Sequence, residues 1–299
     1  MERVRLCEHG PEVSPIVQGA MRLLDVGGPQ EVLRFIHGCL ELGVSTFDHA
    51  DIYGSYRAEA HFGAALALAP SLRERLQLVS KCGIKLLSPQ RPEHGVHGYD
   101  TSRAHIVASA ERTLANLGTD HLELLLIHRP DPLMDADEVA GALTELLERG
   151  LVRHVGVSNF TPFQLELLQS RLAAPLVTNQ VELSVTHLDL LHDGTLEQCQ
   201  RLRIRPMAWS PLGGGRLFKR EGARAQRVMD ELERVGADIG AGADAVALAF
   251  VLKHPSRPVP VLGTGKLERV AAAARALELT LSREQWFRLW SASMGHEVP

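Results

Sequence analysis

The stretch Val44-Ser45-Thr46-Phe47-Asp48-His49-Ala50-Asp51-Ile52-Tyr53-Gly54 passes from a strand-like run directly into polar residues. The same shape recurs along the chain. Lys81 closes one apolar run and His128 another, while Asn159, Gln180, Trp209 and Gly263 stand at or just after the ends of later ones. Eight runs read as strands: residues 16–19, 44–48, 76–81, 122–128, 152–157, 176–180, 205–210 and 259–263. Helix-like stretches fall between them at 30–42, 57–68, 102–117, 136–149, 162–172, 188–202 and 223–235, followed by 243–253 and 267–274. Thr161 before Pro162, and Thr101-Ser102 ahead of the third helix, are start signals. Strands alternating with helices imply parallel pairing through βαβ units.

The polar strand ends choose between an open sheet and a barrel. In a closed barrel all C-terminal strand ends converge on one mouth. In an open sheet these seven residues could not all face the single crevice at the switch point. The pattern therefore predicts an α/β chain folded as a (β/α)8 TIM barrel, one domain over residues 1–299. Residues 1–13 read as a short hairpin under the barrel floor or as an irregular start. A helical tail after Ser282 carries Trp286 and Trp290 four residues apart, a spacing that packs them onto the fold.

Composition narrows the partners. The chain has 299 residues, 45% hydrophobic, with net charge −4 from 32 basic and 36 acidic side chains. No basic block suggests nucleic acid. The start, Met1-Glu2-Arg3-Val4-Arg5, lacks the apolar core of a signal peptide. The longest apolar run, residues 245–252, is short of the roughly 20 residues that span a bilayer. Cys7, Cys39, Cys82 and Cys199 are scattered without a CxxC pair, as expected for reduced thiols in a cytoplasm. These features predict a cytoplasmic protein without nucleic-acid or membrane partners, and nothing in them demands an oligomer rather than a monomer.

Asp48, Tyr53, Lys81 and His128 form a proton-handling set. A free phenol, with a pKa of roughly 10, is a poor acid at neutral pH. A nearby ammonium pulls that value down, which makes Tyr53 a usable general acid with Lys81 beside it, Asp48 to fix the lysine, and an imidazole. The set suits carbonyl reduction, in which hydride reaches carbon and a proton reaches oxygen. Taken singly, Asp48 reads as a helix cap, Lys81 as a surface charge and His128 as a core histidine; together they do not.

The run Phe47-Asp48-His49-Ala50-Asp51-Ile52-Tyr53-Gly54, with Glu59 and Gly63 after it, resembles the aldo-keto reductase family. So do Ser80-Lys81, Leu126-Ile127-His128-Arg129-Pro130-Asp131, Val155-Gly156-Val157-Ser158-Asn159-Phe160, Asn179-Gln180-Val181-Glu182 and Trp209-Ser210-Pro211-Leu212. These pieces cover essentially the whole chain in the family's order, and Lys81-Cys82-Gly83-Ile84 with Trp209–Gly215 is most similar to a bacterial oxidoreductase branch.

The resemblance implies a barrel that uses a nicotinamide cofactor, NADPH (NADP+), and no metal. It makes Tyr53 the general acid, Lys81 its modulator, Asp48 the lysine's partner and His128 the residue that orients a small carbonyl substrate. Ser158, Asn159 and Gln180 match positions that hydrogen-bond the nicotinamide carboxamide, and Trp209 the aromatic that stacks on the ring. Ser210, Leu212 and Gly213 then approach the pyrophosphate. Gly263-Thr264-Gly265-Lys266-Leu267-Glu268-Arg269 opens a helix whose free N–H groups attract phosphate, with Lys266 and Arg269 adding charge for a 2′-phosphate. The family often has lysine where Gly263 stands and asparagine where Ala273 stands. The plain alternative leaves Lys266 and Arg269 on a solvated helix.

Other signals lead elsewhere. Gly240-Ala241-Gly242-Ala243-Asp244-Ala245 imitates a dinucleotide fingerprint but follows no strand, so it reads as a loop between helices. His94 and His97 read as exposed histidines, Tyr56 as packing, and Cys82 as inert core facing the helices. Residues 85–99 form the longest irregular stretch, and loops after the third, fourth and seventh strands, with the tail, are expected to wall the pocket. The functional alternative to a reductase is a nicotinamide-binding regulatory subunit with slow or no turnover. A barrel enzyme for a phosphorylated metabolite leaves Tyr53 and Lys81 unexplained.

Overall fold

In the computed structural model, which describes residues 1–299, the first strands β1 (Val4–Arg5) and β2 (Glu12–Val13) pair as an antiparallel hairpin. Then come β3 (Val17–Gly19), α1 (Pro29–Glu41), β4 (Thr46–Asp48), α2 (Tyr53–Tyr56), α3 (Ala58–Leu66) and β5 (Gln77–Cys82). A small ribbon, β6 (Ile84–Lys85) with β7 (Gly98–Tyr99), precedes α4 (Arg103–Leu117), β8 (Leu124–Ile127), α5 (Ala136–Glu148) and β9 (Val155–Ser158). The chain continues through α6 (Pro162–Gln169), β10 (Leu176–Glu182), α7 (Thr195–Leu202), β11 (Met207–Trp209), α8 (Ala223–Ile239) and α9 (Ala243–Leu252). It ends with β12 (Val259–Leu262), α10 (Leu267–Arg275) and α11 (Arg283–Met294).

Eight parallel strands close on themselves in the order β10-β11-β12-β3-β4-β5-β8-β9. This is a (β/α)8 barrel. Branched side chains fill most of its interior, among them Val17, Val79, Leu124 and Val177, with the unbranched Met207 beside them, and the hairpin's Leu6 and Val13 pack against them from below. Leu6 also accepts the Arg205 N–H at 2.7 Å, which ties the hairpin to the barrel. A larger apolar layer of 44 buried residues lies between sheet and helices. No single helix is long and apolar enough to cross a membrane.

Local chemistry sets the helix starts. Ser102 accepts the His105 N–H, and Asp135 accepts from Asp137 and Glu138. Thr161 with Gln164, and Ser282 with Gln285, form reciprocal capping boxes; replacing such a cap with alanine costs about 1 kcal/mol.

Four expectations are corrected. The helix expected over 188–202 is a 3-10 turn at Asp189–Leu191 and then α7, because Gly194 sits at φ 85° between them. The stretch 85–99 is not wholly irregular: Ile84 pairs with Tyr99 and Lys85 with Gly98. The His94 side chain is 7% exposed rather than open to solvent. The tail packs elsewhere than the pocket, with Trp286 stacked on Phe250 at 4.7 Å between ring centres.

Candidate active site

Three strands deliver one buried cluster. Asp48 ends β4, Lys81 lies next to last in β5, and Gln180 stands in β10 across the barrel. Asp48 and Lys81 are each 1% exposed. The Lys81 Nζ donates to Asp48 Oδ2 at 2.6 Å, to the His49 carbonyl at 2.8 Å and to Tyr53 Oη at 3.1 Å. An ammonium has three donors, so all of them are used. Burial alone would lower the lysine's pKa, but the Asp48 carboxylate and the Tyr53 oxygen outweigh it and hold it above its ordinary value.

Tyr53 reaches the cluster from the turn after β4, and its ring lines the cavity. Its oxygen accepts from Lys81, so its own proton is free to point away from the lysine. Burial pushes the phenol's pKa up; the Lys81 charge pulls it down, Asp48 raises it again, and the balance is upward. The sequence-based expectation of a net depressed phenol is corrected on that ground. Lys81 opposes a larger desolvation effect, and the phenol keeps its proton in the neutral range.

His128 follows β8 and meets Tyr53 edge-on, with ring centres 6.0 Å apart. Burial, then the charges of Lys81 and Arg129, push its pKa well below the ordinary histidine value. The ring is therefore neutral at physiological pH, and its Nδ1 is buried with no protein partner. Gln180 donates from Nε2 to Asp48 Oδ1 at 2.8 Å. Ser158 Oγ donates to the Gln180 carbonyl at 2.8 Å. Asn159, in a left-handed conformation at φ 62°, accepts the Trp209 indole N–H at 3.0 Å and donates to Ser158 Oγ at 2.7 Å. Its amide fixes the Trp209 ring, and the Arg129 guanidinium lies 5.6 Å from that ring's centre.

A cavity of about 800 Å³ opens over these groups. One end holds Asp48, Tyr53, His128, Arg129 and Trp209; the other is bounded by Gly263, Thr264, Arg269, Ala273 and the start of α9 at Ala243 and Asp244. Both α9 and α10 begin at this end without a side-chain cap, at Gly242 and Lys266. The first-turn N–H groups of α9, and in α10 those of Leu267 and Glu268, are thus available to an anion. The Lys266 N–H is held by Thr264 Oγ1 and the Arg269 N–H by the Lys266 carbonyl.

The sequence profile of the Aldo/keto reductase family matches residues 15–293. The chain belongs to the aldo-keto reductase family. It is 54% identical over 301 residues to "Oxidoreductase YdhF" of Escherichia coli (strain K12), covering all of both chains. It is 47% identical over 300 residues to "6-dehydroglucose reductase" of Agrobacterium fabrum (strain C58 / ATCC 33970), again covering both completely. Among solved structures, the thermostable aldo-keto reductase Tm1743, crystallised with the inhibitor epalrestat, superposes with a TM-score of 0.81 at 28% identity, over 98% of this chain and 100% of that one. Aldo-keto reductases are oxidoreductases that use nicotinamide cofactors and act on small carbonyl compounds.

Within this aldo-keto reductase, the residues singled out from sequence divide in two. Asp48, Tyr53, His128, Ser158, Asn159, Gln180, Trp209, Ser210, Leu212, Gly263, Thr264 and Arg269 all line the one cavity, with Lys81 directly behind it. Gly213, Gly265 and Lys266 do not line it. Met21, Arg22, Ala243 and Asp244 do line it and were not foreseen, while Phe218 lines it from the loop after the seventh barrel strand, where a wall was expected. Met21 and Arg22 lie just past the first barrel strand, a position that signals a loop on the catalytic face. The Gly240–Ala245 stretch is a loop into a helix, as read, but it borders the cavity all the same.

Proposed function

We propose that this chain reduces the carbonyl of an aldehyde or ketone with NADPH as a cytoplasmic enzyme, with Tyr53 as the general acid. The observation that carries the reading is the triple engagement of Lys81, on Asp48, the His49 carbonyl and Tyr53, beneath a cavity that Tyr53 lines.

The residues present fit such a cofactor. Gln180 spends its Nε2 on Asp48 and keeps its Oε1 for a carboxamide N–H, and Ser158 stands beside it. Trp209 offers a ring held in place by Asn159. Thr264, Arg269 and the uncapped starts of α9 and α10 suit phosphate. When bound, the nicotinamide supplies hydride to the carbonyl carbon.

The chain's own residues do the rest. His128, neutral, donates a hydrogen bond to the carbonyl oxygen and orients it toward Tyr53. Tyr53 passes its proton to that oxygen as negative charge develops. Lys81, fixed by Asp48, stabilises the phenolate left behind. Arg129 is placed to meet oxygen atoms elsewhere on the substrate.

The test is single-turnover oxidation of bound NADPH across a panel of aldehydes and ketones, with an oxidised sugar included because one relative is named a 6-dehydroglucose reductase. Rapid oxidation with at least one carbonyl is expected. Tight NADPH binding without oxidation by any of them would favour the regulatory-subunit reading instead.

A further inference from the structure

The three residues after Tyr53 all lie in the left-handed region: Gly54 at φ 58°, Ser55 at 54° and Tyr56 at 65°. Gly54 suits this, since a Cβ there would stand 2.6 Å from Leu24 Cδ1. For serine, and more so for a bulky aromatic, it is a strained state that persists only where surrounding contacts enforce it.

The contacts that enforce it come from the segment between β5 and α4. Tyr56 is 8% exposed. Its Oη accepts the Leu86 N–H at 2.7 Å and lies 3.4 Å from His94 Nδ1. That same nitrogen lies 3.1 Å from the Leu86 carbonyl, so Leu86 is held through both of its backbone polar groups. His94 meets the Tyr56 ring edge-on at 5.9 Å, and the Arg91 guanidinium carbon lies 4.8 Å from the ring's centre. The anchored segment begins with Ile84, which is part of the cavity wall. One side chain thus joins the turn that carries Tyr53 to the segment that supplies Ile84 to the cavity wall.

We propose that Tyr56, seated by His94, is a positioning residue that sets substrate specificity. Its hydroxyl pins the β6–β7 segment, fixes the wall at Ile84, and so limits the size of carbonyl compound admitted beside Tyr53. The inference rests on the reductase reading and names small carbonyl compounds as the favoured class. A residue that only filled space would leave size selection unchanged when its hydroxyl alone is removed.

Tyr56→Phe keeps the ring and deletes the anchor, and His94→Ala removes its second support. The measurements are kcat and KM for propanal and for 2-naphthaldehyde, the NADPH dissociation constant, and amide hydrogen exchange at Leu86. In both variants exchange at Leu86 should quicken, KM for propanal should rise about tenfold, the scale of one lost hydrogen bond, and NADPH binding should stay the same. The kcat/KM for 2-naphthaldehyde should hold or improve. Equal losses for both aldehydes, or unchanged kinetics despite faster Leu86 exchange, would overturn the assignment. Should the wild-type protein reduce no carbonyl at all, the reductase reading fails first, and unaltered Leu86 exchange in Tyr56→Phe would separately remove the anchor.

Discussion

Gln180 and Asp48, 132 residues apart in the chain, meet through a hydrogen bond of 2.8 Å from the amide Nε2 to carboxylate Oδ1. Lys81 holds the other carboxylate oxygen. Asp48 is thereby spoken for on both sides, and the ammonium it balances is buried. Asp48→Asn keeps the shape and removes the charge, leaving Lys81 buried without a counter-ion. Breaking a buried pair in this way costs about 3–5 kcal/mol. Urea unfolding should show a loss of that size; a midpoint equal to wild type would mean the pair contributes little to stability.

Tyr53→Phe removes the proposed acid and, with it, the weakest of the three Lys81 contacts, at 3.1 Å. We expect kcat for carbonyl reduction to fall by at least roughly 10²-fold. NADPH affinity should hardly change, because the lost hydroxyl acts in the transition state. Near wild-type turnover would take Tyr53 out of the mechanism.

Lys81→Met addresses the coupling between the two side chains. Reduction needs the protonated phenol, so its rate declines as pH rises through the Tyr53 pKa. Lys81 lowers that pKa against the upward effect of burial. Without the ammonium, the alkaline limb of the remaining pH–rate profile should move to higher pH and the plateau should drop, since the phenol becomes a weaker acid. A limb that stays in place would show the pair to be uncoupled.

Arg269 borders the cavity and Lys266 does not, which separates two residues that look equivalent in sequence. A charge-assisted contact to a 2′-phosphate contributes about 1.5–3 kcal/mol, or roughly a factor of 10 to 100 in affinity. Arg269→Ala should weaken NADPH binding by that factor and spare NADH, with the gap narrowing as salt rises. Lys266→Ala should do neither. Fluorescence titration through Trp209 reads both, and equal losses of NADPH and NADH in Arg269→Ala would assign the residue to the fold or the pyrophosphate.

The barrel and its reactive end were legible in sequence because each polar residue there terminates a run whose own pattern marks a strand. Asp48, Lys81, His128 and Trp209 needed only that rule to be placed on one face. What stayed hidden depends on geometry that spacing does not encode. Tyr56 and His94 are 38 residues apart on a turn and a loop, with no periodicity to relate them. Asn159 reads in sequence as a partner for the nicotinamide carboxamide, yet its carbonyl is taken by the indole of Trp209, 50 residues away. The balance of burial against charge at Tyr53 likewise depends on the depth of the site, which no local pattern reports.

The sheet is sealed where β12 meets β3, with Val261 opposite Val17 and Leu262 opposite Gln18, and Gln18 Nε2 reaches the Thr264 carbonyl at 2.8 Å across 246 residues. The first and last strands of the ring therefore complete it together. During synthesis, a chain that has already emerged past His128 holds every reactive side chain but lacks the strand that closes the circle. Such long-range pairing is entropically slow to form, and domains assemble as units while they are made. Competence should thus come late and all at once, and recovery of activity on refolding should keep step with burial at the β3–β12 seam.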